Sequence, residues 1–346
     1  MGNNSLTTRL SPLTRRRLMS FRNNRRGWWS LIIFISLFTL SLGAELVAND
    51  RPILLKYQNE LYTPVLITYP ETTFGGDFDT PADYRDPFIA DKINAEGWIV
   101  WPPIRFADST IDYSLVSPAP PSLSHPLGTD DQGRDLVARI LYGFRISVCF
   151  GLVLTLFSTI FGITAGAIQG YYGGYLDIAG QRFMEVWSGL PVLYLLIIMS
   201  DMFRPGFWWL LGIMLLFSWM SLVGVVRAEF LRSRNLDYVR AAQAMGVKDH
   251  NIMFRHILPN AMVAALTFLP FVLNGAITTL TSLDFLGFGM PPGSPSLGEL
   301  LAQGKANLHA PWIGLSAFAI LSITLTVLVF IGEAARDALD PNRNAL

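Results

Sequence analysis

A polar stretch between two long apolar runs reads Asn235-Leu-Asp-Tyr-Val-Arg-Ala-Ala-Gln-Ala-Met-Gly246, then continues through Val-Lys-Asp249 to Leu258-Pro259. Its alanines favour a helix and leave little side-chain bulk. Asn235 can cap the start of that helix, Gly246 can take the left-handed conformation that ends it, and Asp249 can cap the next helix. The sequence therefore predicts a short helix, a glycine turn and a second helix that enters the apolar run at Pro259.

The small residues of this predicted helix would let the backbone of another protein come close. Ala241 and Ala242 are the residues that leave this room, so we interpret the helix as a docking element in a polar loop. The alternative, from this segment alone, is an ordinary basic loop between two membrane helices.

The composition is that of a polytopic membrane protein. The chain has 346 residues, of which 51% are hydrophobic, and its mean hydropathy is +0.38, which is too apolar for a soluble protein. A membrane-spanning helix needs about 20 apolar residues. Six runs approach or exceed this length, at 28–48, 144–168, 189–203, 206–226, 259–283 and 312–332.

Basic residues set the expected orientation, because short loops rich in Lys and Arg stay in the cytoplasm. The first 27 residues hold seven arginines, and the loop 227–256 holds six basic residues. The short loops that would lie outside hold only Arg204 and Lys305. We therefore expect a multi-pass membrane protein with both termini in the cytoplasm.

The segment 49–140 differs from the rest of the chain. It holds seven basic and fourteen acidic residues, 11 of the 21 prolines and many aromatic residues. This composition predicts a small folded module outside the membrane, with short strands at Leu61–Tyr69 and Trp98–Trp101. The predicted division is a basic tail 1–27, a first span 28–48, the insertion 49–140 on the outer side, a five-helix core 141–335 that includes the loop 227–256, and a cytoplasmic tail 336–346.

Several kinds of chemistry are not predicted. None of the four lysines is followed by Ser or Thr, so the chain has no phosphate-binding loop for ATP, and no catalytic residue is predicted. No charged residue or His lies in 146–168, 206–226, 259–283 or 312–332, which argues against a proton-coupled carrier. The sole cysteine, Cys149, has no partner for a disulfide within the chain.

A second polar motif reads His125-Pro-Leu-Gly-Thr-Asp-Asp-Gln-Gly-Arg-Asp135. Thr129, Asp130 and Asp131 are capping residues, and Asp135 can complement a helix start, so the motif should lead the chain into the second apolar run. One His with loop carboxylates lacks a recognisable ligand spacing, so no metal site is predicted.

The first motif resembles the EAA loop of ABC-importer permeases, a pattern of an acidic residue, two alanines, a glycine and a later Leu-Pro. Arg240 occupies the acidic position, which departs from that pattern. The resemblance implies a loop that couples the permease to its ATPase. The residues of this coupling loop are Tyr238, Arg240, Ala241, Ala242, Gly246, Leu258 and Pro259.

The second motif resembles the LGTD-x-x-GRD signature of the second permease subunit of dipeptide, oligopeptide and nickel importers. The stretches Gly170–Gly174 and Phe285–Gly289 are similar to the same family, so the resemblance covers roughly residues 122–341. It implies a periplasmic motif at the mouth of the permease. Its residues are Gly128, Thr129, Asp130, Gly133, Arg134 and Asp135.

The resemblance implies an all-α polytopic protein with six transmembrane helices, the type I ABC-importer (MetI-like) permease fold and a periplasmic insertion after the first helix. The implied partners are a homologous second permease, two ATP-binding subunits, a periplasmic peptide-binding protein and the lipid bilayer, with no nucleic acid. ATP and Mg would be held by the ATPase subunits, and this chain would bind no cofactor.

The substrate implied by the resemblance is a peptide or a peptide-like compound. The alternatives are a permease for nickel or another small solute, a secondary carrier or channel, and a membrane-anchored interaction protein. Asn274 is the candidate for the translocation pathway, because an amide at mid-membrane is costly unless it has a partner. A structural hydrogen bond would also explain it.

Overall fold

Apolar helices make up most of the structure, a computed structural model that describes residues 12–202 and 206–339. The helices are α1 Pro12–Asn23, α2 Arg25–Leu42, α3 Ala44–Val47, α4 Pro87–Glu96, α5 Leu136–Tyr172, α6 Gly174–Ser188, α7 Val192–Met202, α8 Phe207–Ser218, α9 Met220–Ser233, α10 Asp237–Ala244, α11 Asp249–Asn251, α12 Leu258–Phe285, α13 Leu297–Ala306 and α14 Pro311–Leu339. The strands are β1 Leu54–Tyr57, β2 Glu60–Tyr62 and β3 Trp98–Val100. A 3-10 turn covers Glu71–Phe74, and a π-helical turn covers Ile252–Ile257.

Four of the described helical segments are long and apolar enough to cross a membrane. They are Leu136–Tyr172, Phe207–Ser233, Asp249–Phe285 and Pro311–Leu339. A fifth is possible if α6 and the first part of α7, which are bent by 62° at their junction, count as one broken span. Pro191 lies in this break, where it cannot continue a helix. The predicted run 28–48 forms α2 and α3, and Phe203 of the third run is outside the described residues. The count of six therefore stays a prediction.

Helices α5 and α9 pack with their backbones in contact. A Cβ atom added to Gly162, Gly166 or Gly170 would lie 2.6–2.8 Å from a carbonyl oxygen of α9 or of the residue before it. These glycines are four residues apart, so they share one face of α5. Small residues allow such close approach between membrane helices, and here no side chain fits between the two.

The helices define two ends of the core. At one end, which we call the α10 end, the end of α5 meets α9 and α10, and Gly27 at the start of α2 touches Ala334 near the end of α14. At the other end, the sheet end, Tyr142 of α5 donates to Ala48 O at 3.1 Å, and Trp312 of α14 donates to Thr129 O at 3.2 Å. The two described chain ends therefore lie at the α10 end.

A small antiparallel sheet in the order β2-β1-β3 occupies the sheet end. Leu55 and Tyr57 of β1 point inward, where Phe74, Ile89 and Ile93 complete a core. Tyr57, Tyr62, Tyr69 and Tyr84 each meet the ring of Phe74 edge-on, the geometry that aromatic pairs favour. The predicted strand Trp98–Trp101 is present as β3, which ends one residue earlier, at Val100. Of the predicted strand Leu61–Tyr69, only Leu61 and Tyr62 are in a strand, because Pro64 follows them closely. Strand β1 was not predicted.

Candidate functional site

Helix α10 rests on a core of its own at the α10 end. Val239 and Ala242 are buried and pack with Phe230 of α9 and with Ile252 and Ile257 of the π-helical turn. Leu258 is half-buried against the same core, and Pro259 lies at the start of α12, directly after the π-helical turn. The sequence is amphipathic at this point, because the residues between the two buried positions are exposed.

A glycine turn ends α10. Gly246 has a φ of +76°, and its N–H donates to Gln243 O at 2.9 Å, while the N–H of Val247 donates to Ala242 O at 3.1 Å. This pair of hydrogen bonds is the Schellman motif. No atom lies within 4 Å of a Cβ added to Gly246, so the backbone conformation alone requires glycine here. The predicted left-handed turn is confirmed.

One stripe of the exposed surface of α10 is apolar. Tyr238, Ala241 and Met245 are three and four residues apart, share one face of the helix and are exposed, Met245 by 76%. Phe254, from the π-helical turn, is exposed by 66%. The Arg240 side chain is exposed beside this face and has no ion pair among the described residues. We call Tyr238, Ala241, Met245 and Phe254 the α10 face.

Three predictions about this loop need correction. Helix α10 begins at Asp237 with Leu236 at its N-cap, and the amide of Asn235 donates to Leu231 O, so Asn235 is not the cap. Asp249 does not cap the next helix either, because its carboxylate accepts the hydroxyl of Tyr171 at 2.7 Å. Ala242 is buried in the core beneath α10, so of the predicted pair only Ala241 is exposed.

The α10 loop is tied to the end of α5 by polar contacts. Besides the Tyr171–Asp249 bond, Arg234 donates to Tyr171 O at 3.2 Å. Arg227 of α9 donates through Nε and Nη2 to the two oxygens of Asp177 on α6, at 2.5 and 2.6 Å. This bidentate geometry fixes both the distance and the orientation of the two helices.

A buried ionic cluster joins the loop before α5 to the loop before α13 at the sheet end. Asp130 accepts the Nε of Arg134 at 2.7 Å and lies 3.5 Å from the Nε of Arg139. Arg139 is fully buried and donates to Glu299 Oε2 at 2.8 Å and to Ser294 O at 2.9 Å. Burial of these charges is tolerated because each has partners.

A second buried network holds the start of α5. Asp135 caps this helix by accepting the N–H of Ala138 at 2.9 Å. The sequence predicted Asp135 only as a charge at the helix start and predicted Thr129, Asp130 and Asp131 as capping residues, which is wrong for α5 because Thr129 and Asp130 bond within the preceding loop. His125 lies between two carboxylates, with Nδ1 2.8 Å from Asp135 Oδ2 and Nε2 3.3 Å from Asp112 Oδ2. Burial raises the pKa of Asp135 above its ordinary value, although hydrogen bonds from Ala138 and His125 oppose the shift.

The pKa of Asp112 moves in the opposite direction. Its partial burial favours a higher pKa, but hydrogen bonds from Ser114, together with His125, outweigh burial and lower the pKa. The network holds no metal-binding set: no group of three or more His, Cys, Asp and Glu side chains within residues 12–202 and 206–339 is placed to bind a metal ion.

The remaining residues of the predicted periplasmic motif have structural positions. Gly128 and Gly133 have φ of +84° and +86°, a region that favours glycine. Thr129 is buried, and its hydroxyl accepts the N–H of Ala119 at 2.8 Å. The motif therefore folds into a buried clamp of loop and helix start, and its polar side chains face protein partners rather than an open channel.

Asn274 lies half-buried on α12. Its Nδ2 donates to Leu325 O of α14 at 3.0 Å, and its backbone carbonyl accepts the hydroxyl of Thr278 at 2.9 Å. The structural hydrogen bond that the sequence left open is thus present between α12 and α14. This bond gives the amide a structural partner, and a role of Asn274 in the translocation pathway stays a prediction.

Two ion pairs were missed from the sequence, Arg227–Asp177 and Arg139–Glu299. The partners are separated by 50 and 160 residues, so no local spacing indicates them. Asp284, whose carboxylate accepts the hydroxyl of Ser296, was also missed. The only available signal was the position of these charged residues at the ends of apolar runs.

Comparison with known proteins gives concordant matches. A family model described as "binding-protein-dependent transport system inner membrane component" matches residues 158–344. The chain is 60% identical over 338 residues to the inner membrane ABC transporter permease protein YejE of Escherichia coli, covering 97% of this chain and 99% of that protein. It is 56% identical over 359 residues to the peptidoglycan transport system permease protein YejE of Agrobacterium fabrum, covering 96% and 94%.

More distant relatives cover less of the chain. The oligopeptide transport system permease protein OppC of Lactococcus lactis is 34% identical over 226 residues, covering 64% of this chain and 77% of that protein. Among solved structures, a chain of the inward-facing MetNI methionine ABC transporter aligns with a TM-score of 0.47 at 15% identity, covering 59% of this chain and 96% of that chain.

Proposed function

The chain belongs to the family of binding-protein-dependent transport system inner membrane components, which have the type I ABC-importer (MetI-like) permease fold, and on that premise we propose that it is the permease subunit of an ATP-driven importer of peptides or peptide-like compounds. The observation that carries this proposal is the near full-length similarity to the two YejE permeases, which includes the segment of the small sheet. ATP would be bound and hydrolysed by separate subunits with Mg, and this chain would hold neither a cofactor nor a metal.

The α10 face is the proposed contact with an ATPase subunit. It is exposed and apolar, and it stands on a packed core that joins α9, the end of α5 and the start of α12. Force applied to this face would be transmitted to the core helices, because Val239 and Ala242 anchor α10 beneath it. Arg240 at the rim would meet an acidic or polar group of the partner.

The proposed topology has six passes, with α10 and both chain ends in the cytoplasm and the small sheet in the periplasm. Support comes from the basic residues of 227–256 and of the first 27 residues. The directions of the helices also fit, since α5 and α9 run in parallel and α6 with α7 must return the chain between them. A homologous second permease and a periplasmic binding protein complete the proposed importer, with the insertion 49–140 contacting the binding protein or gating the outer mouth.

Peptides are the proposed cargo because the relatives named above include peptidoglycan and oligopeptide permeases. The test is uptake of labelled peptides into cells that lack this chain and into cells that regain it. Restored uptake supports the proposal. Restored nickel uptake without restored peptide uptake would contradict the substrate assignment and leave the permease assignment intact.

ATPase docking is tested by two tryptophan substitutions. Ala241→Trp adds bulk to the α10 face, so we expect a folded, membrane-inserted permease that no longer copurifies with its ATPase subunit. Ala242→Trp is the matched control, because it overfills the loop core and should lower the thermal stability of the permease itself. Normal copurification and normal uptake with Ala241→Trp would rule out docking through this face.

The topology is tested with single cysteines in a Cys149→Ser background. A cysteine at the exposed Asp83 should react with an impermeant thiol reagent added to intact cells, whereas a cysteine at the exposed Gln243 on α10 should react only after the membrane is opened. The opposite pattern would reverse the orientation.

The energy source separates the importer from a secondary carrier. We expect uptake to stop when cellular ATP is depleted and to persist, at first, when an uncoupler collapses the proton gradient. Loss of uptake under the uncoupler while ATP stays high would contradict the ATP-driven assignment.

A further inference from the structure

Helix α1 and the first turn of α2 concentrate positive charge at the α10 end. Residues 12–26 contain six arginines and no acidic residue. They are Arg15, Arg16, Arg17, Arg22, Arg25 and Arg26, and all except Arg17 are exposed. No ion pair among the described residues neutralises them. This surface is therefore suited to an anionic partner.

The exposed side of α1 also carries apolar residues. Arg15, Leu18, Met19 and Arg22 are three and four residues apart and form one stripe, in which Leu18 and Met19 are about half exposed, at 52% and 49%. A helix that presents arginines and long apolar side chains together is typical of a helix that lies in the interface of a membrane.

The chain leads directly from this stripe into the membrane core. Trp28 and Trp29 follow in α2, and Trp29 is exposed by 62%. Tryptophan is enriched at the level of the lipid headgroups. The apolar part of α2, Leu31–Leu42, continues from there, so α1 stands next to the point where the chain enters the bilayer.

The start of α2, directly after α1, is held by contacts with the core. Asn24 breaks the helix and caps α2 by accepting the N–H of Gly27 at 3.2 Å. Gly27 lies so close to Ala334 of α14 that its Cβ would overlap the alanine Cβ. The nearby charged groups on α14 are Glu333, Arg336 and Asp337, and the first and last of these line a cavity of about 510 Å³ together with Arg25 and Arg26. Two acidic residues do not offset the arginines of α1 and α2.

We propose that α1 is an interfacial helix that binds anionic phospholipids of the leaflet at the α10 end. Arg15, Arg22 and the exposed arginines of α2 would contact the phosphate headgroups, while Leu18 and Met19 reach the acyl boundary. Lipid is the occupant that fits, because it supplies negative charge and apolar surface side by side and is continuous with the environment of α2. Through α14, this contact would hold one helix of the core in register with the membrane surface.

The experiment places a fluorophore on Leu18→Cys in a Cys149→Ser permease, within the assembled importer reconstituted in vesicles. The vesicles contain either phosphatidylcholine alone or phosphatidylcholine with phosphatidylglycerol, plus a lipid with a nitroxide near its headgroup. We expect strong nitroxide quenching with phosphatidylglycerol and weaker quenching without it. The single variants Arg15→Gln and Arg22→Gln should each lower the ratio of lipid-bound to unbound α1 about fivefold.

Two controls make the result specific. Arg232→Gln removes an exposed arginine at the same end, which pairs with Glu229 at 2.6 Å, and should leave quenching unchanged. A fluorophore on Gln243→Cys of α10 should not be quenched in either vesicle. Equal quenching of the Leu18 probe in both vesicles, or none in either, would overturn the proposal. The proposal would also be overturned if quenching of the Leu18 probe changed with the presence of the ATPase subunits and not with phosphatidylglycerol.

Discussion

Arg227 Nε and Nη2 lie 2.5 and 2.6 Å from the two carboxylate oxygens of Asp177, and this one pair joins α9 to α6 at the α10 end. Both side chains are only partly exposed, at 29% and 12%. The pair connects the helix that leads into α10 with the helix that precedes the bent segment of the core. It is thus a candidate for keeping the two sides of this end together during movement.

We expect Arg227→Ala and Asp177→Asn each to destabilise the purified permease by about 1.5–3 kcal/mol, the usual range for a charge-assisted hydrogen bond. The double variant should lose less than the sum of the two, because each single change already removes the interaction. Unfolding of the purified permease measures this. The matched control is Arg232→Ala, which breaks an exposed pair on the same helix and should change stability by less than about 1 kcal/mol.

Gly246 offers a test of conformation without interference from packing. Gly246→Val should strain the left-handed turn by about 1–2 kcal/mol and reduce uptake, whereas Gly246→Asn should retain most uptake, since Asn tolerates this conformation. No neighbouring atom is close enough for either side chain to clash with it at the Cβ. Equal uptake by the two variants would show that the turn is not under this constraint.

The buried Arg139 makes Glu299 important for folding. Glu299→Ala should destabilise the permease, because the buried guanidinium of Arg139 loses a charged partner. The upper limit of the loss is the roughly 3–5 kcal/mol typical of a broken buried ion pair. The loss should be smaller than that limit, because Asp130 lies 3.5 Å from Arg139 Nε and still compensates part of the charge. Melting temperatures of the wild type, Glu299→Ala and Glu299→Gln provide the measurement, with Glu299→Gln expected in between.

The lowered pKa of Asp112 predicts a dependence of stability on pH. A carboxyl group whose pKa is lower in the folded state contributes stability above its ordinary pKa of about 4, and this contribution disappears as the pH falls through the lowered value. We therefore expect Asp112→Asn to melt at a lower temperature than the wild type at pH 7, with a difference that shrinks on acidification. Asp91→Asn, at an exposed position on α4, is the control and should show little difference at pH 7. A constant difference for Asp112→Asn at all pH values would contradict the explanation.

The sequence was most informative about the α10 loop, where local chemistry determines the structure. The glycine turn follows from Gly246, whose need for a positive φ is a property of the residue itself. The start of α10 was misplaced by one residue, because the side-chain amide of Asn235 donates to Leu231 O of α9 and its oxygen does not cap α10. The inward position of Ala242 depends on which face of an eight-residue helix meets the core, and composition could not distinguish it from Ala241.

The sheet end was harder to predict because its contacts are between distant residues. The motif residues Asp130, Arg134 and Asp135 were found, but their roles as a buried clamp depend on Glu299 and on His125 between two carboxylates. Strand β1 was missed, since a four-residue strand with two neighbours is specified by its partners more than by its own sequence. The sequence singled out Asn274 as a polar side chain in an apolar run, but its hydrogen-bond partner, Leu325 O, depends on how α14 packs against α12.

The glycine face of α5 has a mechanical consequence. Helix α5 has 37 residues, a length of roughly 55 Å at the rise of an α-helix. Along the stretch where it touches α9, the glycines place the α5 backbone directly against α9, with no α5 side chain between them. A push on α9 at the α10 end would therefore tilt α5 as a stiff rod, and the same tilt would appear at its far end, where Asp135, His125 and Asp112 hold the chain. Flexibility within the helical core must then come from another place, and the bent junction between α6 and α7 is the break that the structure offers for it.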